Sequence, residues 1–506
     1  MNIRMLACGL VLLAVTTALA AANLPTAIPT TSNPPVLTAT ETVLGDMHQT
    51  LPTPDGNHNI SFKGMGDVVG AIVIDGKIHE VPPGFIKDSY AVSADGKRLA
   101  YYVRKENKKR VVVIDGVESK PYDSIAPQKP VFSPDSKRVA YIAQIGPGDP
   151  RFGSTEQFVV LNGEAGKHYG NIWPYVMFSP DSQHVIYIAA NESSRPGMAG
   201  AQYFLVEDGK EGKTYTGNGY ITPQQNITFS PDCKRLAFTV WDGKQVTPVI
   251  DGMEGKPYES VAEHSFVFSP DSKHIAFLAG QTKKSFFVVD GVAGKEFDSS
   301  ERSGEDPPFI FSPNGKRSAY RAKHGNKYLA VIDGVEGKEY NNVELGSAFS
   351  PDSKRTAYSA HLGTDYYDWC LVIDGKESKT YVTASSPVFS ADGLHFAFWA
   401  RAERDYNKYF VIKDGVEGKI YSRPMAGPIF SPDGKHFAYV AQGTTNPMDV
   451  VVVDEVECPN LPPLVFDPRF GMVISNTFYF ESSTKLDFVA MKMPGQQFVR
   501  ETIDIK

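Results

Sequence analysis

Val131-Phe132-Ser133-Pro134-Asp135-Ser136-Lys137-Arg138-Val139-Ala140-Tyr141-Ile142 is written again and again along this chain. Close copies begin at Phe178, Phe229, Phe268, Phe311, Phe349, Phe389 and Phe430. A looser copy spans Val92–Tyr101, and a degenerate one spans Thr53–Phe62. Indexed on the turn residue, the copies fall at Asp55, Asp95, Asp135, Asp181, Asp232, Asp271, Asn314, Asp352, Asp392 and Asp433, 38 to 51 residues apart. A last unit near Asp467 keeps only Phe-Asp-Pro. Self-similarity at such a period marks an array of repeated structural units.

Each unit has a second constant half, seen as Val112–Tyr122, Pro248–Tyr258, Ala330–Tyr340 and Val411–Tyr421. Together the halves make four short apolar runs, of the types PVFS, RVAYIA, FVVIDG and KPYDSI. Runs of this length, rich in Val, Ile, Phe and Tyr and bounded by Pro, Gly, Asp and Ser, are strands. In the Ser-Pro-Asp-Gly turn and its Ser variant, Pro presets φ and Asp bonds back to the main chain. The Asp-Gly pair of each IDG segment makes a hairpin between the third and fourth strands. Four antiparallel strands in ~42 residues, repeated in tandem, predict an all-β chain: a β-propeller of about ten to eleven four-stranded repeats. One large ring and two tandem rings both remain open. Stacking would bury the two faces that a single repeat cannot bury alone.

Phe-Ser-Pro-Asp-Gly-Lys-x-x-Ala-Tyr, as at Phe430–Tyr439, resembles the WD-like repeat of TolB-type periplasmic propellers. It is also similar to the propeller domains of prolyl-oligopeptidase-type enzymes. The resemblance covers roughly residues 51–470. It departs from true WD repeats, because Trp241-Asp242 is isolated and out of register. It departs from TolB in having only residues 23–50 where that family carries a small α/β domain, so the TolB partner set does not carry over.

Residues 1–22 read as a secretory signal peptide, with Arg4, an apolar Leu6–Val15 and a small-residue site at Ala18-Leu19-Ala20. Residues 23–50 read as a flexible Pro/Thr-rich leader, in which Glu41–Leu44 is a candidate closing strand. Residues 51–506 hold the repeats, with strands also expected at Thr477–Phe480, Leu486–Met491 and Phe498–Ile505. No later stretch has the ~20 apolar residues of a membrane span. The mature chain is therefore expected to be exported, periplasmic or secreted. Two long loops, Gln144–Glu156 and Asn191–Gln202, both follow a second strand and should emerge on one face. Clustered insertions of this kind are often the binding side of a repeat array; the alternative is tolerated surface drift.

The 506 residues are 42% hydrophobic with 44 Gly and 36 Pro, as suits a turn-rich β protein. The net charge is −7, and no basic stripe interleaved with aromatics appears, which argues against nucleic acid. Past the signal there are three cysteines, Cys233, Cys370 and Cys458. Export would permit one disulfide among them, and none has zinc-ligand spacing.

No Gly-x-Ser-x-Gly elbow, His-Glu-x-x-His motif or phosphate loop occurs, and the last repeat leaves no room for a peptidase domain. Gly64, Gly66 and Gly70 miss the dinucleotide spacing and lead into a strand. No cofactor is expected. The positions of interest are instead the basic residues before each second strand: Arg98, Arg138, His184, Arg235, His274, Arg317, Arg355, His395 and His436. At one radius and height they could bind an acidic polymer or a carboxylate-bearing partner. Alternatively, each solvates its turn and pairs with an acid of the neighbouring repeat.

A second recurrent set is Lys120, Lys167, Lys213, Lys256, Lys295, Lys338, Lys379 and Lys419, each with an aromatic two residues on. Such uniformity predicts one packing role, the Lys stem and the ring lying between repeats. The turn aspartates offer too few oxygens for calcium. The expected function is a non-enzymatic binding or scaffold protein that recognises an envelope protein or glycan through one face. The alternative is a propeller lyase or hydrolase on acidic saccharides, resembling propeller lyases whose metal sites use histidines. Convergence of His184, His274, His395 and His436 would favour that enzyme, and pairing of each within its own repeat would count against it.

Overall fold

The computed structural model describes residues 37–46, 51–52, 59–65, 68–74, 77–146, 156–191, 202–216, 227–298, 309–363, 367–401, 408–444, 449–458, 464–465, 478–492 and 497–505. Among them the fold is nearly all β: the only helical element is a single 3-10 turn, Lys87–Ser89. The strands fall into ten antiparallel sheets that follow one another along the chain. The signal-like segment, the Asp467 unit, the Thr53-Pro54-Asp55 turn and most of both long loops lie outside the described residues.

The second sheet shows the common plan. Its strands are Ala91–Val92, Leu99–Arg104, Arg110–Ile114 and Val117–Glu118, hydrogen-bonded in sequence order. The hairpin at Asp115-Gly116 has φ of 52° and 85°, the left-handed pair that a two-residue turn needs to match strand twist. The Ser-Pro-Asp turn and the Asp-Gly hairpin therefore sit at one end of each sheet, and the loops between second and third strands sit at the other.

The KPYDSI run divides differently from the expected single fourth strand. In Lys120–Ile125, Tyr122 bridges back to Arg110 of its own sheet. Ser124–Ile125 already pairs with Ala143 and Gln144 of the next sheet. The fourth strand proper is the short Val117–Glu118. The cause is the crossover: one continuous segment must finish one sheet and start another, so its apolar residues serve two sheets.

The second strands are buried along nearly their whole length, as in Val139–Ala143 and Val185–Ala190. Strands covered on both faces read as continuous apolar runs rather than alternating ones. Ala100, Ala140, Ala237, Ala276, Ala319, Ala357, Ala397 and Ala438 recur at one position and are all 0% exposed. A methyl fits there because the adjacent sheet lies directly against it. Each consecutive pair of sheets shares a packed apolar layer, from Ile72 and Ile74 against Tyr101 and Val103 to Trp399 and Val411 against Tyr439 and Val452.

The first and last described strands meet. Leu37–Asp46, which includes Glu41–Leu44, is a strand paired antiparallel with Gln497–Ile505. That strand pairs with Lys485–Lys492, which reaches the last repeat through Leu464–Val465. Leu486, Ile503 and Ile505 close over Val451 and Val453 of that repeat. Among the described residues none of the sheets closes on itself as a barrel. No helix of the described residues is long and apolar enough to cross a membrane.

Candidate binding surface: the turn end of the sheets

The Ser-Pro-Asp turns are built around a buried serine. Ser350 is 0% exposed; its Oγ donates to Asp352 Oδ1 at 2.6 Å and accepts from the Arg355 N–H at 2.9 Å. Lys354 N–H also donates to Asp352 Oδ1, at 3.1 Å. The same bonds recur at Ser133, Ser179, Ser230 and Ser431. The serine hydroxyl holds the carboxyls of Asp95, Asp135, Asp181, Asp232, Asp271 and Asp352 below the ordinary aspartate value.

A carboxyl whose folded pKa is depressed stabilises the fold above the unfolded value, about 3.9. That contribution is lost as pH falls through the lower folded value. Ser350→Ala is expected to cost about 1–3 kcal/mol at neutral pH, because it strands the Arg355 N–H in a buried turn. The gap to the parent chain should narrow below about pH 4, as Asp352 becomes protonated in both chains. Urea unfolding at several pH values reads both effects.

The basic residues before the second strands are positioned by these turns, and the structure places each one. Arg235 Nε donates to Asp251 Oδ2 of its own Asp-Gly hairpin at 2.9 Å. Its Nη1 reaches the carbonyls of Ser272 and Lys273 in the next sheet, at 3.2 and 2.7 Å. The guanidinium also lies 5.3 Å from the centroid of Phe268, again in the next sheet. Arg98 and Arg317 repeat all these contacts. Arg355 bonds Asp374 and the Leu394 carbonyl and lies over Phe389. Arg138 bonds the Ser182 carbonyl and lies over Phe178. Its hairpin carries Asn162 where the others carry aspartate, and Asn162 Oδ1 accepts from the Val139 N–H.

The acid is therefore the repeat's own hairpin aspartate and not one from the neighbouring repeat, as the sequence reading has it. What the neighbour supplies is carbonyls and a phenylalanine. One planar fork can bond an acid and a carbonyl and still stack, so Arg317→Lys keeps the charge and loses the clasp. The expected cost is about 1 kcal/mol, read by urea denaturation. An unchanged midpoint would mean the clasp contributes nothing.

The histidines take the arginine place without bridging carbonyls. Nδ1 of His184, His274, His395 and His436 lies 2.8, 2.6, 2.6 and 2.5 Å from Asp208, Asp290, Asp414 and Asp454 respectively. Each aspartate belongs to the same sheet as its histidine. The Asp208 hydrogen bond raises the His184 pKa above its ordinary value. Among the described residues, no three of His, Cys, Asp and Glu come together to hold a metal ion. This is the in-repeat pairing that counts against a convergent histidine site. Cys233, Cys370 and Cys458 are free thiols, and burial pushes Cys458 up to about 12.

The lysine set does more than pack. Lys213 reaches Glu254 of the following sheet at 2.7 Å, Lys295 reaches Glu336 at 2.9 Å and Lys338 reaches Glu377 at 2.8 Å. Sequence reasoning missed these partners, although a glutamate stands two residues before six of the eight lysines, all but Lys167 and Lys295. Only the offset of one sheet against the next shows that the lysine of one repeat meets the glutamate of its successor.

No protein-family model matches this chain, and no curated protein matches it. Solved structures that resemble it include a eukaryotic initiation factor, at 11% identity over 76% of this chain and 90% of that one, with a TM-score of 0.33. An oligogalacturonate lyase in complex with manganese resembles it at 13% identity over 59% and 95%, TM-score 0.29. TolB from Acinetobacter baumannii does so at 14% identity over 63% and 79%, TM-score 0.24. At these values the likenesses carry no argument about activity.

Proposed function

We propose that the mature chain is an exported, non-enzymatic β-propeller-type scaffold. It recognises an envelope protein or glycan through the face that carries Gln144–Glu156 and Asn191–Gln202. The observation that carries this reading is where the repeated polar groups go. At the turn end the arginines, histidines and aspartates are bonded to one another and to adjoining carbonyls. They act as fastenings, which leaves the opposite end for recognition.

The strand ends at Ile145, Glu156, Ala190 and Gln202 support the face, since they put both long connections at the same end of adjacent sheets. A single continuous array of ten repeats is the arrangement we favour. It is supported by the shared apolar layer between every consecutive pair of sheets and by the meeting of the first and last described strands in the last one.

The test is affinity capture with the tagged chain from residue 23 as bait in an extract of its own cell envelope, beside a variant with both loops shortened to Gly-Ser turns. One component held stoichiometrically by the parent and lost by the variant is the expected result. Equal capture by both would place recognition elsewhere. Conversion of acidic oligosaccharides by the purified chain would replace this reading with an enzyme.

A further inference from the structure

Lys167, Lys213, Lys295, Lys338, Lys379 and Lys419 each meet a glutamate of the next sheet: Glu211, Glu254, Glu336, Glu377, Glu417 and Glu457. In two of these sockets the tyrosine two residues on completes the site. Tyr340 donates to Glu377 at 2.8 Å and Tyr421 to Glu457 at 3.2 Å. The lysine also lies over that tyrosine's ring, 5.5 Å away at Tyr340 and 5.7 Å at Tyr421. The repeat thus encodes a receptor for a carboxylate, made of an ammonium, a hydroxyl and an aromatic wall.

Two of the eight lysines meet a different residue. The position that faces Lys120 is Ala165, and the one that faces Lys256 is Ala293. The equivalence is set by register. Ala165 pairs with Val160, and Ala293 with Val288, as Glu211 pairs with Val206 and Glu377 with Val372. At the first of them the receptor half is retained: Lys120 Nζ lies 5.9 Å from the ring of Tyr122 and 6.0 Å from that of Phe158. Lys120, Ala165, Lys256 and Ala293 are all exposed. Among the described residues neither lysine has an acidic partner.

We propose that Lys120-Tyr122-Ala165 and Lys256-Tyr258-Ala293 are carboxylate-binding sites, which take from an acidic peptide segment the side chain that glutamate supplies in the other sockets. A peptide is favoured because the six internal occupants are glutamate side chains carried on short extended strands. A glutamate on an extended partner laid beside the alanine-bearing strand reproduces the chemistry of the internal occupant. The sites lie along the fourth strands and not among the long loops, so this proposal and the proposed binding face fail separately.

The test is limiting acylation of the mature chain with an N-hydroxysuccinimide ester, with lysine reactivity read by mass spectrometry. Lys120 and Lys256 are expected to react faster than Lys338 and Lys419. An acetylated oligoglutamate peptide should slow both about threefold while leaving Lys316 unchanged, and oligoglutamine should do nothing. Ala165→Glu should bring Lys120 down to the rate of Lys338 and abolish its response to the peptide, while Lys256 keeps its own. Equal slowing at Lys316, or no slowing, overturns the proposal. So does an Ala165→Glu chain in which Lys120 is unchanged. Protection by oligogalacturonate but not by the peptide overturns the peptide assignment in favour of a uronate.

Discussion

Phe287→Ala is expected to cost about 3–5 kcal/mol and to divide the array in two. The ring is 2% exposed, and its centroid lies 5.0 Å from that of Phe309 and 4.8 Å from that of Tyr320. Phe287 stands on the third strand of the sixth sheet, and Tyr320 on the second strand of the seventh. Truncation therefore removes the centre of one inter-sheet layer, and the neighbouring backbones are too constrained by their own ladders to close the gap. In a stacked array stability is close to a sum of unit and interface terms. Losing one interface should convert a single urea transition into two. Hydrogen exchange should show the strands Ile275–Gln281 and Ser318–His324 losing protection first. Uniform loss along the chain would show that the interfaces are not the units of cooperativity.

The second large effect is expected where the first and last described strands meet. Deleting Leu37–Asp46 removes a ten-residue strand whose partners run from Ile505 to Gln497. The Gln497–Ile505 strand then replaces Leu37–Asp46 as the edge of the sheet, and an edge that carries Phe498, Val499, Ile503 and Ile505 invites pairing with another molecule. Cross-strand pairs are each worth a few tenths to one kcal/mol. After the entropy of the strand itself, the last sheet should lose about 3 kcal/mol, or about a hundredfold in exchange protection. Light scattering should show concentration-dependent association of the shortened chain that the parent lacks. Monomeric behaviour with unchanged protection would mean the pairing is incidental.

Much of this architecture is legible without coordinates. Ser-Pro-Asp and Asp-Gly name their turns, because each residue type has a local mechanical role, and the spacing of the two fixes the hairpins between them. The recurring Ala-Tyr/Phe pair marks the strand buried on both faces. What the residues do not disclose is the register between sheets, since no local rule relates one repeat's side chains to the next. Arg98, Arg138, Arg235, Arg317 and Arg355 read more readily as residues that solvate a turn and pair with an acid than as ligand-facing cations, but the carbonyls and phenylalanines that complete the clasp are visible only in the structure. The crossover at Tyr122–Ile125 fails for a related reason: its apolar residues are divided between two sheets, whereas a strand pattern assumes one. Ala165 and Ala293 are plain in the sequence, yet they acquire meaning only once the lysines opposite them are known.

The repeated fastenings of the turn aspartates, arginines and lysines share a direction. The Asp95 N–H donates to Ser136, Arg98 to the Lys137 carbonyl, and Lys338 and Tyr340 to Glu377, in every case from the earlier sheet to the later one. Such an assembly is like a row of identical couplings, each with a plug ahead and a socket behind. A unit that carries the glutamate fits behind any lysine, whereas the alanine-bearing units leave that one contact unmade, and the couplings set no limit on how many units there are. Head-to-tail contacts of this kind close or run on according to geometry alone. The length of the row is then a decision of its last sheet, where Leu37–Asp46 returns to terminate it.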